Sequence, residues 1–420
     1  ATDLAEPTGA EEASRAAPAT PATTWSLTAS TPDGAARFAI DSGDSPFRVT
    51  LDELPVYIQA IPGLEYLTLA EATRIVPGAT FEVSHGGISG TVPLVGLYSL
   101  NLLLRTAQRV LLRIDEGWAG TEEALYKFLA KQPWEVHLGF GAGYQLHATA
   151  RSAIYEPGDE LDRAIYRGIQ RHYADFGMEA PTQSATGPEV YVRLFRNRCQ
   201  LSINTSGEHL HIRGTRTNVA TAPLRETLAA ALVLQATATP DLVIDPFCGS
   251  GTILVEAAEL GSPVTREFAF TEAAWHQPGR YREAQRQATA EPWFADATLL
   301  GFDLDRPALA AAGNNIGQRA TITRRDATTL DFRALAQEHG AQQLFIATNL
   351  PYGKRVGQGA DVHGLVRTFV RQLEAAPSGT EIAVLTAHPQ LFHASNLEVL
   401  RASEVQNGGL NVTLIHAKTR

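Results

Sequence analysis

Cysteine is almost absent from this sequence of 420 residues, which contains only Cys199 and Cys248. Two cysteines cannot form a disulfide framework, and no Cys/His cluster has zinc spacing, so we expect no metal site. No apolar run is long enough to cross a bilayer, which argues against a transmembrane protein. The first residues show neither a cationic start nor an apolar core, so no secretory signal is predicted. These absences fit a cytoplasmic protein without membrane partners best.

An excess of positive charge is also lacking, because 45 acidic residues outnumber 35 lysines and arginines and give a net charge of -10. Long-range attraction to a polyanion is therefore not general over the surface. A nucleic-acid partner would have to bind a local basic patch. The length suggests two or three domains, and a hydrophobic fraction of 44% allows sizeable cores.

The N-terminal segment, residues 1–45, is expected to be disordered or weakly ordered, since it has almost no large apolar side chains up to about Thr24. Within it, a Pro-Asp-Gly turn between WSLTAS and RFAI predicts a small hairpin. From about Phe47 to Asn204, short strands alternate with amphipathic helices. Mixed pieces of this size indicate a small α+β module.

The second half of the chain contains four short apolar runs separated by helical segments, DLVIDP, TLLGFDLD, QQLFIAT and EIAVLTA. Nearly continuous apolar runs that alternate with helices predict a parallel sheet covered by helices on both faces. The predicted fold class is therefore α/β.

A glycine-rich turn follows the first of these runs, where DLVIDP continues into FCGSGTILVEAAEL. Gly249 and Gly251 let a ligand approach the backbone at the start of a helix. A Walker A motif would need a following Gly-Lys-Ser/Thr, and a dinucleotide site would need a third glycine, so neither is predicted. Asp245 would repel a pyrophosphate and attract a cationic amino-acid moiety. S-adenosylmethionine carries such a moiety, with its ammonium and sulfonium groups.

Two further carboxylates lie at the ends of the second and third strands of the predicted sheet, TLLGFDLD and ATITRRD, and QQLFIAT is then the fourth strand. Asp303 lies where a ribose diol is bound in such folds, and Asp326 could accept a hydrogen bond from an adenine amine. Alternatively, each aspartate caps a following helix. Three carboxylates at successive strand ends, beside a Gly-Ser-Gly loop, favour a cofactor site. Cys248 is interpreted as a small packed residue.

The fourth strand ends in the tetrapeptide Asn349-Leu350-Pro351-Tyr352. The Asn349 side-chain carbonyl and the Leu350 backbone carbonyl could accept the hydrogens of an exocyclic amine on a nucleobase. Pro351 fixes the turn and has no competing N–H, and Tyr352 offers a face on which a flipped base could stack. The alternative is an ordinary proline turn with a packed tyrosine.

Several motifs resemble the THUMP-domain RNA guanine-N2 methyltransferases, a group within the class I S-adenosylmethionine-dependent methyltransferases. They are DPFCGSGTILVEAA, the NLPY tetrapeptide, SGEHLHIRGTR, APLRETLAAAL, REFAFTEAAW and NGGLNVTLIHAK. The resemblance covers about Leu51 to the C-terminus. It implies a Rossmann-like methyltransferase domain with a mostly parallel seven-stranded sheet, preceded by α+β ferredoxin-like and THUMP modules. Leu350 departs from the usual proline of the group, but its contribution is a backbone carbonyl.

The resemblance also implies domain boundaries and site residues. Its segments are a ferredoxin-like module (46–90), an RNA-binding THUMP domain (91–205), a linker (206–222) and the methyltransferase domain (223–420). The cofactor residues are Asp245, Pro246, Gly249, Ser250, Gly251, Thr252, Asp303, Asp326 and Asn349. The residues around the target guanine are Asn349, Leu350, Pro351 and Tyr352.

A basic cluster near the last THUMP hairpin and the linker is the predicted RNA-binding surface. It comprises Arg193, Arg196, Arg198, Arg213 and Arg216, with Lys354 and Arg355 after the target pocket. Phosphate contacts can position RNA through a local cluster even when the whole protein is negative. The alternative is a solvated hairpin face.

The sequence therefore predicts a monomeric enzyme that transfers a methyl group from S-adenosylmethionine to guanine N2 in structured RNA, either 23S rRNA or tRNA. One alternative is methylation of adenine N6 in RNA or DNA, because an Asn-x-Pro-aromatic pocket serves both amines. Another is a non-catalytic RNA-binding assembly factor with a methyltransferase fold.

Overall fold

The computed structural model describes residues 24–28, 37–41, 52–139, 143–213, 224–288, 292–352 and 361–420. The chain divides into two units, Ala1–Leu51 and Asp52–Arg420. In the first unit, strands β1 (Thr24–Thr28) and β2 (Arg37–Asp41) pair antiparallel, as the predicted hairpin requires. The rest of the segment that was expected to be disordered lies outside the described residues, as do Arg216, Lys354 and Arg355.

The N-terminal half of the second unit is built on a seven-stranded sheet in the order β4-β5-β3-β6-β9-β8-β7. Its strands are β3 (Leu54–Ala60), β4 (Phe81–Ser84), β5 (Gly87–Val92), β6 (Ala107–Trp118), β7 (Gln145–Arg151), β8 (Glu189–Phe195) and β9 (Arg198–Asn204). Neighbouring strands are antiparallel, except that β7 and β8 are parallel. The expected module boundary at residue 90 falls inside β5, and the sheet continues across it.

Helices cover one face of this sheet where it contains β7, β8 and β9. The helices of this half are α1 (Glu65–Ile75), α2 (Leu94–Leu103), α3 (Glu122–Ala130), α4 (Trp134–Leu138) and α5 (Asp159–Asp175). Val192 of β8 and Leu201 of β9 share a core with Phe128 of α3 and Ile165 of α5. Because strand side chains alternate, the residues between these core positions lie on the opposite face.

The C-terminal half forms the second seven-stranded sheet, in the order β12-β11-β10-β13-β14-β16-β15. Its strands are β10 (Leu242–Asp245), β11 (Thr298–Asp303), β12 (Thr321–Arg324), β13 (Leu344–Asn349), β14 (Glu381–Thr386), β15 (Glu398–Asn407) and β16 (Leu410–Lys418). The first five are parallel, and β16 and β15 complete the sheet in antiparallel pairs. The mostly parallel α/β sheet expected from the sequence is confirmed.

Helices lie on both faces of the C-terminal sheet. They are α6 (Glu226–Val233), α7 (Thr252–Glu259), α8 (Pro278–Ala288), α9 (Arg306–Ile316), α10 (Phe332–Glu338), α11 (Val362–Glu374) and α12 (Pro389–His393). One buried cluster joins the sheet to α6, α7 and α9, and a second joins it to α10 and α11. None of the helices in the described ranges is both long and apolar enough to cross a membrane.

A buried ionic cluster joins the two halves of this unit. Arg105 Nη1 lies 3.5 Å from Glu256 Oε2 and 3.2 Å from Glu259 Oε2, both on α7. Arg213 pairs with the same Glu256 carboxylate, and its Nη2 donates to the Arg105 carbonyl oxygen at 2.6 Å. The carboxylate of Glu71, on α1, accepts a hydrogen bond from the backbone N–H of Arg105 at 2.8 Å. Burial raises the pKa of Glu71.

The burial of Arg213 contradicts its predicted place on the RNA-binding surface. Only 1% of its side chain is exposed, and its guanidinium is bound to Glu256. A cation in this position cannot reach a phosphate of an RNA on the surface. The side chain of Arg213 instead forms an ion pair with Glu256 of helix α7.

We expect Arg213→Ala to lower the free energy of unfolding by about 3–5 kcal/mol, because Glu256 would lose one partner of a buried ion cluster. Urea denaturation of the full chain, monitored by tryptophan fluorescence, measures this change. Arg371→Ala, at an exposed position of α11, is the control and should stay within about 0.5 kcal/mol of wild type. Equal stability of the two variants would contradict a stabilising role for the cluster.

Candidate active site

Three polar residues that the sequence predicts to act together occupy the carboxyl ends of neighbouring strands. Asp303, Asp245 and Asn349 are the last residues of β11, β10 and β13, which are adjacent in the sheet. The strand order reverses between β10 and β13, and ligands of open α/β sheets bind beside such a switch point. The structure therefore brings the predicted cofactor residues and the predicted target residue to one edge.

The loop after β10 folds tightly against β11. The Cys248 N–H donates to the Phe302 carbonyl oxygen at 2.9 Å, and the Gly249 N–H donates to Asp303 Oδ2 at 2.9 Å. Gly249 and Gly251 have φ values of +52° and +80°, in the left-handed region that favours glycine. A Cβ on Gly251 would also lie 3.2 Å from the Ala312 Cβ of α9. Around Gly249 the space is open, so a ligand can approach its backbone.

Asp245 is a buried carboxylate with one oxygen satisfied. Its Oδ1 accepts hydrogen bonds from the Thr348 hydroxyl at 2.6 Å and the Phe247 N–H at 3.2 Å. Its Oδ2 is buried without a hydrogen-bond partner. Burial, with a smaller contribution from the charge of Asp303, raises the pKa of Asp245 to about 7. A cationic donor beside Oδ2 would satisfy this oxygen and stabilise the ionised form.

The carboxylates of Asp303 and Asp326 accept hydrogen bonds from backbone N–H groups. Both Asp303 oxygens accept backbone N–H groups, from Gly249 and Asp305, each at 2.9 Å. Asp326 Oδ1 accepts the Thr328 N–H at 2.9 Å and the Thr328 hydroxyl at 2.8 Å, and so caps a short 3-10 helix. The capping interpretation thus describes Asp326 in the structure. The roles of both carboxylates toward a ligand stay predictions.

The remaining predicted cofactor residues are largely enclosed. Ser250 and Thr252 are 6% and 7% exposed, and the Ser250 carbonyl oxygen accepts the Asn315 side-chain amide at 3.0 Å. Pro246 and Cys248 are also buried. Burial raises the pKa of the Cys248 thiol far above its ordinary value, which fits the interpretation as a packed residue. These side chains are therefore packed within the loop and its surroundings.

The NLPY tetrapeptide presents one unsatisfied acceptor. Asn349 Oδ1 is buried and has no hydrogen-bond partner. Leu350 buries its side chain in the core, and its N–H donates to the Leu385 carbonyl oxygen at 3.0 Å. A buried acceptor without a donor is costly, so its retention at a strand end indicates a site for a ligand N–H.

Tyr352 occupies a more enclosed position than the sequence predicts. Its side chain is 4% exposed and belongs to the same buried cluster as Leu228 and Val405. Its hydroxyl accepts the side-chain amide of Asn407 at 2.5 Å. A base can stack on this ring only after the ring is uncovered. Neither Asn407 nor Thr348 was identified from the sequence, because both contacts depend on the pairing of strands distant in the chain.

The predicted RNA-binding arginines fall into three groups. Arg193 and Arg196 are exposed and flank the Phe195 ring, with their guanidinium carbons 5.4 and 5.2 Å from its centroid. Arg198 is paired with Glu116 at 2.7 Å. Arg213 is buried in the ionic cluster with Glu256. The exposed end of the β8–β9 hairpin therefore retains two of the four described arginines as unobstructed cations on the surface.

Two family models match this chain. Residues 213–416 match the model described as "RMKL-like, methyltransferase domain", and residues 56–111 match the "RlmL ferredoxin-like domain". The second match spans both sides of residue 90, in agreement with the continuous sheet.

Curated relatives are similar along most of this chain. "Ribosomal RNA large subunit methyltransferase K/L" from Hahella chejuensis is 28% identical over 384 residues, which cover 87% of this chain and 53% of the relative. The protein of the same name from Chromohalobacter salexigens is 29% identical over 383 residues, covering 86% and 52%. The chain thus spans about half the length of these relatives.

Solved structures show the same fold. A "possible methylase" from Clostridium difficile 630 has a TM-score of 0.75 at 21% identity, covering 88% of this chain and 99% of that chain. SMU.472 complexed with SAH also has a TM-score of 0.75 at 21% identity, with coverage of 88% and 99%. TrmN from Thermus thermophilus has a TM-score of 0.62 at 21% identity, with coverage of 87% and 100%.

The sheet order, the loop after β10 and these structural neighbours define a class I methyltransferase fold. Within that class, residues 213–416 are similar to the RMKL-like methyltransferase domain, and residues 56–111, which precede them, are similar to the RlmL ferredoxin-like domain.

The match to a methyltransferase domain and the structural neighbour complexed with SAH imply S-adenosylmethionine as the cofactor, and the loop fits it. Asp245 Oδ2 is a buried acceptor without a partner, and the backbone at Gly249 is open to a ligand. An ammonium group suits the first feature, and a close approach of the ligand to the chain suits the second. No group of three or more His, Cys, Asp or Glu side chains suited to a metal ion occurs among the described residues.

We expect the affinity for S-adenosylmethionine to fall as the pH is lowered from about 8 to about 6, by up to about tenfold per unit below the pKa. Asp245 must be ionised to hold an ammonium, and its pKa is about 7. Calorimetric titration at several pH values measures the profile. Asp245→Asn should bind weakly at every pH, whereas Asp296→Asn, at an exposed position, should keep the wild-type profile.

The stability of the protein without cofactor should depend on pH in the opposite sense to the cofactor affinity, so it should decrease as the pH rises. The folded pKa of Asp245, about 7, exceeds the unfolded value of about 3.9. Its contribution to stability is therefore fully present below the unfolded pKa and is lost as the pH rises through the folded pKa.

A cofactor affinity that is independent of pH would contradict the assignment of Asp245 to the ammonium group.

Proposed function

We propose that this protein transfers the methyl group of S-adenosylmethionine to the exocyclic N2 amine of a guanine in ribosomal RNA. One observation carries the proposal: Asn349 Oδ1 is a buried acceptor without a partner at the end of β13, next to the strand that ends in Asp245. The names of the curated relatives support ribosomal RNA as the substrate.

The chemistry explains why an unsatisfied acceptor is needed. The lone pair of an exocyclic amine is conjugated into the base, so the amine is a poor nucleophile. Hydrogen bonds from its two N–H groups to Asn349 Oδ1 and to the Leu350 carbonyl oxygen would pyramidalise the nitrogen. They would also stabilise the positive charge that develops on it. When bound, the cofactor supplies an electrophilic methyl group.

The remaining residues of the tetrapeptide position the base. Pro351 holds the chain in a turn and offers no competing N–H. Tyr352 would stack on the base after its ring is uncovered, in exchange for the hydrogen bond from Asn407. Asp303 would hold the ribose of the cofactor and Asp326 its adenine, through lone pairs that the backbone contacts leave available.

RNA binding is assigned to residues 91–205, as a THUMP module. The exposed arginines Arg193 and Arg196 flank Phe195 at the end of the β8–β9 hairpin. A local cluster of cations with an aromatic ring can bind phosphates and a base together, even though the net charge of the chain is -10. We place the linker at residues 206–222 and the methyltransferase domain at residues 223–420.

The product of the reaction tests the proposal directly. The purified protein is incubated with labelled S-adenosylmethionine and with unmodified 23S rRNA or tRNA, and the digested RNA is analysed by nucleoside chromatography. We expect N2-methylguanosine from the rRNA. N6-methyladenosine would support the alternative that the same pocket methylates adenine, and the absence of transfer to either RNA would contradict a catalytic role.

Asn349→Ala should slow single-turnover methylation by roughly 10²–10³-fold, because it removes an acceptor for charge that develops in the transition state. Binding of RNA and S-adenosylmethionine should stay near wild type, since the contact is strongest in the transition state. The matched control is Asn396→Ala, at an exposed position before β15. A wild-type rate for Asn349→Ala would mean that the tetrapeptide is only a structural turn.

A further inference from the structure

A cleft of about 530 Å³ lies between the N-terminal sheet and the methyltransferase domain. Ile61 and Gln108 line it from the N-terminal side, and Arg225 lines it at the start of α6. The terminal hairpin contributes Glu404, Val405, Gln406 and Asn411, so the lining holds one carboxylate beside the cation of Arg225. None of the predicted cofactor residues lines this cleft, so it is separate from the site at the end of β10.

The cleft adjoins the proposed target pocket. Leu228 and Val405, which line the cleft, belong to the same buried cluster as Tyr352. Two residues after Val405, Asn407 donates its hydrogen bond to the Tyr352 hydroxyl. The cleft and the ring on which the target base would stack are therefore connected through the same buried cluster and through strand β15.

The chemistry of the lining suits a nucleotide. Leu228 and Val405 provide apolar surface for the faces of a base. The side-chain amides of Gln108, Gln406 and Asn411 provide donors and acceptors for base edges and sugar hydroxyls, and Arg225 provides a cation for a phosphate. A volume of about 530 Å³ is within the usual range of small-molecule sites.

A run of aromatic and imidazole side chains around Arg109 leads from the N-terminal sheet toward this cleft. The Arg109 guanidinium lies 5.8 Å from the Tyr191 ring centroid, and its Nη1 is 3.2 Å from His209 Nε2. The His209 and His211 rings are 5.2 Å apart. Burial lowers the pKa of His211, and the positive charge of Arg225 adds to that effect. Arg109 is also paired with Glu189 at 3.8 Å. The lowered pKa values of His209 and His211 favour neutral rings, so this run offers an unpaired RNA strand mainly a stacking surface.

We propose that this cleft binds a nucleotide next to the target guanine, with its phosphate on Arg225. The inference rests on the proposed function and adds a second base-binding site to it. An RNA strand would pass from Tyr191 along His209 and His211 into the cleft. Its next nucleotide would then reach Asn349 as a flipped base. The identity of the neighbouring base would thereby contribute to the choice of target.

Cross-linking from the cleft tests the proposal. Both native cysteines are buried, so a single exposed cysteine introduced by Gln406→Cys can be labelled selectively with a benzophenone maleimide. The labelled protein is irradiated with 23S rRNA, and reverse transcription maps the cross-link. We expect it within a few nucleotides of the methylated guanine. Arg371→Cys, on the opposite face of the sheet among the α11 side chains, is the control and should give no cross-link there.

Kinetics provide a second readout of the same site. Arg225→Ala should raise the KM for RNA about tenfold, as expected for the loss of one charge-assisted phosphate contact, with little change in kcat. The dependence of RNA affinity on salt should decrease by about one phosphate contact. Arg371→Ala should change none of these values, and both variants should bind S-adenosylmethionine as wild type does.

The outcomes separate the two proposals. A labelled Gln406→Cys protein that methylates 23S rRNA but cross-links far from the methylated position, or not at all, overturns the cleft assignment and leaves the proposed function standing. An unchanged KM for Arg225→Ala would likewise overturn the phosphate contact. If the wild-type protein methylates no guanine in this RNA, the proposed function fails, and the cleft assignment fails with it.

Discussion

The carboxylate of Glu256, shared by two buried arginines, is the buried ionic contact that constrains how the two halves of the second unit are arranged. Buried charges are stable only when their partners hold close geometry, so this cluster tolerates little relative movement. Glu256 lies on α7, which begins directly after Gly251 of the cofactor loop. Arg105 precedes β6, the longest strand of the N-terminal sheet. The sheet that is proposed to hold RNA and the loop that is proposed to hold the cofactor are therefore fixed to each other.

The strand ends of the methyltransferase half could be predicted from the sequence because each signal is local. Asp245, Asp303 and Asn349 each terminate an apolar run, and parallel strands place such ends at one edge. The glycine loop is also local, since its left-handed backbone is specified by Gly249 and Gly251. Local patterns of this kind are enough to locate the candidate site at the carboxyl edge of the sheet.

Burial that depends on distant residues could not be predicted in the same way. Arg213 resembles its neighbouring surface arginines in the sequence, and only its contact with Glu256 shows that it is internal. Tyr352 is enclosed because Asn407 and Val405 come from a hairpin near the end of the chain. The predicted boundary at residue 90 falls inside the sheet for a related reason. Strand β5 pairs with both β3 and β4, and that pairing carries one sheet across the sequence.

Two buried acceptors define the electrostatic character of the candidate site. Asp245 Oδ2 and Asn349 Oδ1 lie on adjacent strands, and each is buried without a donor in the protein. Such atoms destabilise the free protein and favour any ligand that brings donors to both positions. In the proposed function, a cofactor ammonium would satisfy Asp245 and a base amine would satisfy Asn349. Part of the binding free energy of each ligand would then come from satisfying an acceptor that is unpaired in the free protein.

The hydrogen bond between Asn407 and Tyr352 belongs to a form of the protein in which the aromatic ring is covered. Access to the ring therefore depends on the fraction of molecules in which it is uncovered. If the covered form predominates in the free protein, the apparent affinity for a flipped base is reduced by the fraction of molecules with the ring uncovered. That reduction in apparent affinity is the same for every RNA. Only an RNA whose contacts favour the uncovered form shifts the equilibrium. If Tyr352 stacks on the target base as proposed, enclosure of its ring would favour only those RNAs whose other contacts offset the free energy of uncovering it.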